Sequence, residues 1–270
     1  MNSIPILAFI GGGNMAQAIL AGLRRGGAPA ERFVVVEPQP DARERLRQTL
    51  GIQALAQAGP ALAQAGLVVW AVKPQVFAQA AAPCAAHVRG ALQLSIMAGV
   101  RSQALVAASG SARVVRAMPN TPALIGRGVS GLYARAEVGA AEREQVEAVL
   151  RPTGELLWVP REEDLDAVTA LSGSGPAYVF FFIEAMVRAG TRMGLSAEQS
   201  RMLAEQTFAG AAALSASSGE PPETLRARVT SKGGTTHAAI TSMQADGVGE
   251  AFERALLAAR ARAQELGRCD

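Results

Sequence analysis

A glycine-rich turn near the start of the chain is the first segment whose residue types indicate chemistry. Residues 9–16 read FIGGGNMA, so that Gly11, Gly13 and Ala16 match the spacing G-x-G-x-x-G/A. Glycines let the backbone turn tightly and approach a pyrophosphate, and a following helix offers free N–H groups at its positive dipole end. The turn therefore predicts a dinucleotide site. The residues expected to contact the cofactor here are Gly11, Gly12, Gly13, Asn14 and Met15.

An acidic residue follows the second apolar run. Glu37 occupies the position from which a carboxylate accepts hydrogen bonds from an adenosine ribose and repels a 2′-phosphate. This favours NADH over NADPH, although Arg43 and Arg45 are near enough in sequence to leave phosphate binding open. The alternative without function is a glycine-rich turn and a solvated glutamate in a strand-end loop.

Short apolar runs alternate with helical stretches over the first 135 residues, as expected of a frame that holds such a turn. The runs are continuously apolar, which is typical of parallel strands buried on both faces. The predicted strands are 4–10, 33–37, 67–72, 91–95 and 112–117, with 129–134 and 156–159 as an extension. The predicted helices are 14–25, 41–50, 60–64, 75–86, 101–108 and 140–150. The alternation predicts an α/β fold with a Rossmann-type, doubly wound parallel sheet.

The pattern changes near Glu162, after which helical periodicity dominates. The predicted helices of this half are 177–193, 196–217, 222–228, 235–244 and 247–266. We therefore predict a dinucleotide-binding Rossmann domain at 1–160 and an all-helical C-terminal domain at 161–270. A half this small and rich in Ala, Met and Phe often cannot bury its apolar faces alone, so we expect a dimerisation domain.

Composition excludes several classes of protein. The chain has 270 residues, 49% of them hydrophobic, and a net charge of +3, which is not the profile of a disordered chain. No basic run exceeds two residues, so a polybasic arm for nucleic acid is absent. Two cysteines and two histidines far apart do not suit a zinc site, and we expect no metal.

The remaining sequence features favour a cytoplasmic protein without a membrane partner. The start of the chain lacks the charged region and cleavage site of a signal peptide. Cys84 and Cys269 form no CxxC pair and are expected to be reduced thiols. The most apolar long segment, 167–190, is interrupted by Glu184 and Arg188 and is therefore a poor membrane span.

Four segments beyond the glycine turn carry a family resemblance. They are AVKPQ at 71–75, RAMPNTPA at 116–123, LSGSGPAY at 171–178 and VTSKGGTT at 229–236. In this order and at this spacing they resemble the Δ1-pyrroline-5-carboxylate reductase family, over about residues 4–265. The resemblance implies reduction of the imine of L-1-pyrroline-5-carboxylate to L-proline, the last step of proline biosynthesis, with NADH or NADPH. It also implies a homodimer through the helical domain, with a larger homo-oligomer left open.

The last of these segments carries the substrate chemistry that the resemblance implies. Consecutive glycines that lead into a helix expose backbone N–H groups at a positive dipole end, which suits a substrate carboxylate. By resemblance, Thr236 is the catalytic hydroxyl that hydrogen-bonds the ring nitrogen. The residues implied around the carboxylate are Ser231, Gly233, Gly234 and Thr235. Many relatives have proline in place of Lys232, whose role stays open between a charge beside the carboxylate and a solvated side chain. His237 points about 100° away from Thr236 on a helix, which disfavours it as a general acid.

The resemblance also places strand-end residues at the cofactor. Lys73 and its neighbours would lie against the nicotinamide half, and Asn120 would border the substrate, with a purely structural turn as the alternative. The residues so implied are Ala71, Val72, Lys73, Pro74, Ile96, Met97, Ala98 and Asn120. Some relatives contact the cofactor through an asparagine at the position of Ala58, and we expect that contact to be missing here.

Two other functions share part of this pattern. A 3-hydroxyacid or 6-phosphogluconate dehydrogenase-like oxidoreductase has the same plan, but needs a lysine on the first helix of the helical domain, where this chain has none. A non-enzymatic dinucleotide sensor would need the glycine turn but not residues 231–236. The sequence leaves open the choice between NADH and NADPH and the tolerance for related cyclic imines.

Overall fold

A seven-stranded sheet forms the centre of the N-terminal part of the chain, in a computed structural model that describes residues 5–268. Its strands are β1 (Leu7–Ile10), β2 (Phe33–Val36), β3 (Leu67–Trp70), β4 (Leu92–Ser95), β5 (Val114–Met118), β6 (Gly128–Ala134) and β7 (Gly154–Trp158). They lie in the order β2-β1-β3-β4-β5-β6-β7. Strands β1 to β5 run parallel, β6 is antiparallel to β5, and β7 is parallel to β6. The predicted Rossmann-type doubly wound sheet is confirmed. The antiparallel direction of β6 was not part of that prediction.

Twelve α-helices occur in the described residues. Those of the N-terminal part are α1 (Asn14–Arg25), α2 (Pro40–Leu50), α3 (Phe77–Ala81), α4 (Ala85–Val88), α5 (Ser102–Ser109), α6 (Ala140–Leu150) and α7 (Asp164–Val168). Those that follow are α8 (Gly175–Arg192), α9 (Ala197–Ser218), α10 (Pro222–Arg228), α11 (Thr235–Ala245) and α12 (Val248–Leu266). Short 3-10 segments are Ala30–Arg32, Pro60–Gln64, Pro74–Val76, Thr121–Ile125 and Arg151–Thr153, and Thr169–Gly173 is a π-helical turn before α8.

Two helix predictions need correction. The predicted helix 75–86 is divided into α3 and α4, because Pro83 lies between them and cannot continue the hydrogen-bond ladder. The predicted helix 60–64 is a 3-10 segment, and α7 was not predicted at all. The predicted strand start at Ile4, like Cys269, lies outside the described residues.

Strands β1, β2 and β3 are apolar throughout because this part of the sheet is covered on both faces. Successive side chains of a strand point to opposite faces, so one apolar run supplies two cores. In β1, Leu7 and Phe9 belong to the core shared with α1 and α6, whereas Ala8 and Ile10 belong to the core shared with Trp70 and the helices of the other face. The buried indole Nε1 of Trp70 donates to Oε1 of Gln93 at 2.9 Å, which satisfies the polar atom in that second core.

By packing, the chain divides into two compact units. We call residues 5–174 with 259–268 the sheet unit, and 175–258 the helical unit. Residues 161–174 fall in the sheet unit, not with the helices that follow, because acidic residues in this stretch pair with arginines of the sheet unit. The first segment of the sheet unit thus ends at Ser174, downstream of the domain boundary at residue 160 that the sequence predicts. The domain boundary at residue 160 itself stays a prediction.

The helical unit buries few of its own side chains. Ser200 and Ala204 of α9 are buried, and Gly190 lets α8 approach α9 closely, since a Cβ at Gly190 would lie 2.5 Å from the Ser200 Oγ. The exposed large apolar residues of this unit include Phe180, Phe181, Met186, Met193, Met202, Leu203, Leu214 and Leu257. By length and composition the stretch Asp164–Arg192 qualifies as a candidate membrane span in spite of Glu184 and Arg188, contrary to the expectation from the sequence, but core helices of soluble proteins pass the same test. The exposed apolar side chains of the helical unit can be removed from water only by contact with a surface outside this unit.

Candidate active site

The glycine turn connects the carboxyl ends of three neighbouring strands. Gly11 has a φ of +100°, and a Cβ there would lie 2.6 Å from the carbonyl oxygen of Ala71, so that only glycine fits between β1 and β3. The N–H of Gly11 donates to the Val36 carbonyl at 2.8 Å, and the N–H of Ala71 donates to the Ile10 carbonyl at 2.8 Å. The turn therefore lies at the point in the strand order where doubly wound folds bind ligands.

The start of α1 is open to an anion. Gly13 is its N-cap residue, and no side chain in the described part of the chain caps it. Gly13 and Asn14 are exposed, and a Cβ at Gly13 would meet nothing within 4 Å, so the backbone can be approached closely from outside. Met15 is half-buried, and Ala16, also in the first turn of α1, is buried. Uncapped N–H groups at a helix N-terminus bind phosphate, so the geometry fits a dinucleotide pyrophosphate.

Glu37 is held inside this turn. Its side chain is buried, its Oε2 accepts from the N–H of Gly12 at 2.9 Å, and its Oε1 accepts from the N–H of Gln39 at 2.8 Å. Nη1 of Arg43 donates to the backbone carbonyls of Glu37 and Pro38, at 2.9 and 2.7 Å. The predicted acid and the predicted arginine therefore lie in the same loop after β2, while Arg45 is exposed on α2.

The predicted cofactor residues after β3 and β4 lie in adjacent loops. The N–H of Ile96 donates to the Trp70 carbonyl at 3.1 Å, which holds the start of the second loop against the end of β3. Lys73 and Pro74 are exposed, and Ala71 and Val72 are half-buried. Ala98 is exposed, but the Met97 side chain belongs to the hydrophobic core, so a cofactor contact by Met97 would involve its backbone.

The amide of Asn120 ties two segments together. Its Oδ1 accepts from the N–H of Val129 in β6 at 2.9 Å, and its Nδ2 donates to the Ser172 carbonyl in the π-helical turn at 3.1 Å. Asn120 is buried. Asn120 thus has the structural role that the sequence left open as an alternative. The second N–H of its side-chain amide is left for a further partner.

A largely buried cluster of charged residues, which the sequence did not predict, surrounds Arg116 of β5. Nη1 of Arg116 donates to Oε1 of Glu162 at 2.9 Å, and Ser102 donates to the same carboxylate from its N–H and its hydroxyl, each at 2.6 Å. Nη2 of Arg101 pairs with Oδ2 of Asp166 at 2.8 Å. The available signal was an arginine inside an apolar strand, because a buried charge requires a partner.

Burial and pairing set the protonation of this cluster. Burial lowers the pKa of the Arg116 guanidinium, and the nearby Glu162 carboxylate opposes that change. Burial also acts to raise the pKa of Glu162, but hydrogen bonds from Ser102 and the charge of Arg116 outweigh it, so that the pKa of Glu162 is lowered. Arg116 and Glu162 are therefore both charged, and their ion pair attaches the segment 161–166 to β5.

In the helical unit, the predicted substrate residues form one compact turn. The N–H of Gly234 donates to the Ser231 carbonyl at 3.0 Å, and Gly233 has a φ of +78°, which disfavours any side chain. Gly234 is the N-cap residue of α11, and no side chain of the described residues caps it. Ser231, Gly233 and Thr235 are exposed, and Thr236 is half-buried. The free N–H groups of α11 suit a carboxylate.

His237 takes part in a different feature. It lines a cavity of about 300 Å³ within the helical unit, whose other lining residues are Arg226, Ala227, Thr230, Ile240, Thr241 and Gln244. Thr236 does not line this cavity. The two neighbours on α11 thus point to different surroundings, as the helical angle between them predicts. Among the described residues, no group of three or more His, Cys, Asp or Glu is placed to hold a metal ion.

The chain is similar to known proteins over almost its whole length. Residues 162–266 match the family model described as pyrroline-5-carboxylate reductase dimerisation, and residues 6–99 match the model described as NADP oxidoreductase, coenzyme F420-dependent. The pyrroline-5-carboxylate reductase of Pseudomonas aeruginosa is 46% identical over 268 residues, which cover 98% of this chain and 97% of that protein. The enzyme of the same description from Haemophilus influenzae is 39% identical, with 97% of each chain covered.

Solved structures agree with the sequence comparisons. A pyrroline-5-carboxylate reductase from Coxiella burnetii superposes with a TM-score of 0.91 at 34% identity, covering 98% of this chain and 99% of that chain. A pyrroline carboxylate reductase from Plasmodium falciparum, solved with NADP bound, superposes with a TM-score of 0.86 at 27% identity, covering 97% and 98% of the two chains. The similarity thus extends over both the sheet unit and the helical unit.

Proposed function

The chain belongs to the pyrroline-5-carboxylate reductase family, and we propose that it reduces the imine of L-1-pyrroline-5-carboxylate to L-proline, the last step of proline biosynthesis. The observation that carries this proposal is the presence on one chain of two uncapped helix N-termini after glycine turns, at Gly13 and at Gly234. One suits a pyrophosphate and the other a carboxylate, which are the anionic groups of a dinucleotide and of this substrate.

The cofactor is a nicotinamide dinucleotide, which supplies the hydride when bound. In our proposal, the N–H groups at the start of α1 bind its pyrophosphate, and Gly13 lets that group approach the backbone. Glu37 accepts hydrogen bonds from the adenosine ribose through lone pairs that Gly12 and Gln39 leave free. A buried carboxylate repels a 2′-phosphate, and this supports NADH as the preferred cofactor. Lys73 and the residues 96–98 are proposed to lie beside the nicotinamide half.

The substrate is oriented by the turn at 231–234 and by α11. We propose that the backbone N–H groups of Gly233 and Thr235, with the hydroxyl of Ser231, hold the carboxylate. Gly234 lines the same site, while its own N–H closes the turn onto the Ser231 carbonyl. The hydroxyl of Thr236 accepts a hydrogen bond from the N–H of the protonated imine. As a C–H bond forms at the imine carbon, the C=N π electrons return to nitrogen, which keeps its proton and becomes the secondary amine of proline. No side chain has to donate a proton in this step.

The chain forms a homo-oligomer, consistent with its dimerisation region at 162–266. We propose a homodimer through the helical unit, because α8 and α9 expose large apolar side chains that a second copy would cover. This also accounts for the apolar stretch Asp164–Arg192 without a membrane, and we propose that the protein is soluble and cytoplasmic.

A spectrophotometric assay tests the proposed function. Purified protein is mixed with L-1-pyrroline-5-carboxylate and either NADH or NADPH, and oxidation of the cofactor is followed together with formation of proline. We expect turnover with both cofactors and a higher kcat/KM for NADH. Absence of proline with either cofactor would contradict the activity, and a strong preference for NADPH would contradict only the assignment of Glu37.

A further inference from the structure

Lys232 is the second residue of the turn that opens α11. The turn is closed by the hydrogen bond from the Gly234 N–H to the Ser231 carbonyl, at 3.0 Å. The positive φ of Gly233 is what a type II turn requires at its third position, and Lys232 occupies the second position, with its side chain exposed. Since consecutive Cα atoms are about 3.8 Å apart, Lys232 lies within about 11 Å of Thr235, where the helix begins.

The surroundings of Lys232 leave its charge uncompensated. Its side chain is exposed, and among the described residues it takes part in no ion pair. The first turn of α11 contains no acidic residue. By contrast, Arg228 on the preceding helix is paired with Glu220 at 2.5 Å. The charge of Lys232 and the N-terminal end of the α11 dipole therefore both contribute positive potential near the turn at 231–234.

We infer that Lys232 is a specificity-determining residue of the proposed substrate site, where its ammonium attracts the substrate carboxylate and favours anionic imines over neutral ones. This inference rests on the proposed function. Two unit charges about 11 Å apart, the upper bound for Lys232 and Thr235, change an association constant about two- to fivefold when the effective dielectric constant lies between that of water and that of a protein surface. The effect should reside in KM, because the carboxylate does not change its charge during the reduction.

The test compares charge-removing and charge-keeping variants. We expect Lys232→Gln to raise KM for L-1-pyrroline-5-carboxylate about two- to fivefold at low ionic strength with little change in kcat, and Lys232→Arg to resemble the parent protein. In about 1 M salt the difference should disappear, because the Debye length falls to about 3 Å. Arg89→Gln is the matched control, since it removes one exposed positive charge from the sheet unit. An unchanged KM in Lys232→Gln, or an equal rise in Arg89→Gln, would overturn the inference.

Two further measurements separate charge from turn geometry. Lys232→Pro introduces a residue that is common at the second position of type II turns. It should therefore preserve the turn and raise KM as much as Lys232→Gln does. With 1-pyrroline, the same ring without the carboxylate, kcat/KM should be equal in the parent protein and in Lys232→Gln. An equal loss with both substrates would show that Lys232 acts on the shape of the turn, against our inference. Failure of the parent protein to reduce any imine would instead contradict the proposed function.

Discussion

The backbone N–H of Gly12 donates a hydrogen bond to Oε2 of Glu37 at 2.9 Å, although 25 positions separate the two residues. The bond joins the loop after β1 to the loop after β2. The other carboxylate oxygen accepts from Gln39, so the group is held from two sides and is buried. A bound ribose would therefore meet an acceptor that is already fixed in place, which lowers the ordering cost of binding.

Glu37→Gln tests the choice of cofactor. Removing the negative charge removes its repulsion of a 2′-phosphate, and we expect the ratio of kcat/KM for NADPH to that for NADH to rise about tenfold, or about 1.4 kcal/mol. Steady-state kinetics with both cofactors measure this ratio. Glu31→Gln, at an exposed position before β2, is the control. An unchanged ratio in Glu37→Gln would show that the carboxylate does not face the ribose.

Two glycines of the same turn should respond differently to alanine. Gly11→Ala places a Cβ 2.6 Å from a backbone oxygen at a φ of +100°, so we expect a loss of about 2 kcal/mol or more in the free energy of unfolding. Gly13→Ala meets open space at a φ of −70°, and should keep its stability within about 0.5 kcal/mol.

The second variant then reports on binding alone. We expect Gly13→Ala to weaken binding of the dinucleotide at least about fivefold, because its methyl group occupies the space that the pyrophosphate needs. Urea unfolding and fluorescence titration with NADH give the two quantities. Undiminished affinity in a stable Gly13→Ala protein would argue against the pyrophosphate position.

Thr236→Ala should impair the chemistry while sparing the cofactor. Loss of a hydrogen bond to a charged group costs about 1.5–3 kcal/mol, so kcat/KM for the imine should fall about 10- to 100-fold. Thr236→Ser keeps the hydroxyl and should retain most activity, and Thr241→Ala on the same helix is the control. The Kd for NADH should be the same in all of them. Full activity of Thr236→Ala would remove Thr236 from the site.

The Arg116–Glu162 pair should make stability depend on acid. The pKa of Glu162 is lowered in the folded protein from its ordinary value of 4.5, so the unfolded chain binds more protons in the window between these two values. The stabilisation is therefore complete above about pH 4.5 and is lost as the pH falls through the folded-state pKa.

Glu162→Gln isolates this contribution. Removing one partner of a buried pair leaves Arg116 without compensation, and we expect a loss of about 3 kcal/mol near pH 7 that shrinks toward pH 3. Urea unfolding of both proteins between pH 3 and 7 measures it, with the exposed Glu163→Gln as control. A difference that does not vary with pH would mean that the carboxylate is not ionised in the pair.

Phe181→Glu should disrupt the proposed homodimer. Phe181 is 62% exposed in the single chain, so a charge there is tolerated by the monomer but not in an apolar interface. Light scattering should give a smaller molar mass for this variant than for the parent protein. Leu157→Glu, at an exposed apolar position of β7, should keep the parent mass. Equal masses for all three proteins would exclude this face of α8 from the interface.

Much of the local structure is predictable from the sequence. The predicted helices 14–25, 140–150 and 222–228 coincide with α1, α6 and α10, because amphipathic periodicity and flanking Gly or Pro act over a few residues. The glycine turn and the turn at 231–234 are likewise local, since positive φ and close backbone approach select glycine directly.

What only the tertiary structure decides is how residues far apart in the chain meet. The antiparallel direction of β6, the bond of Glu37 to Gly12 and the double tie of Asn120 depend on strand neighbours that no local pattern specifies. Arg116 shows the reason most clearly. Its charge inside an apolar strand signals that a partner exists, but Glu162, 46 positions away, is selected by the folded chain, because a buried charge is stable only where the fold brings its opposite within hydrogen-bond distance.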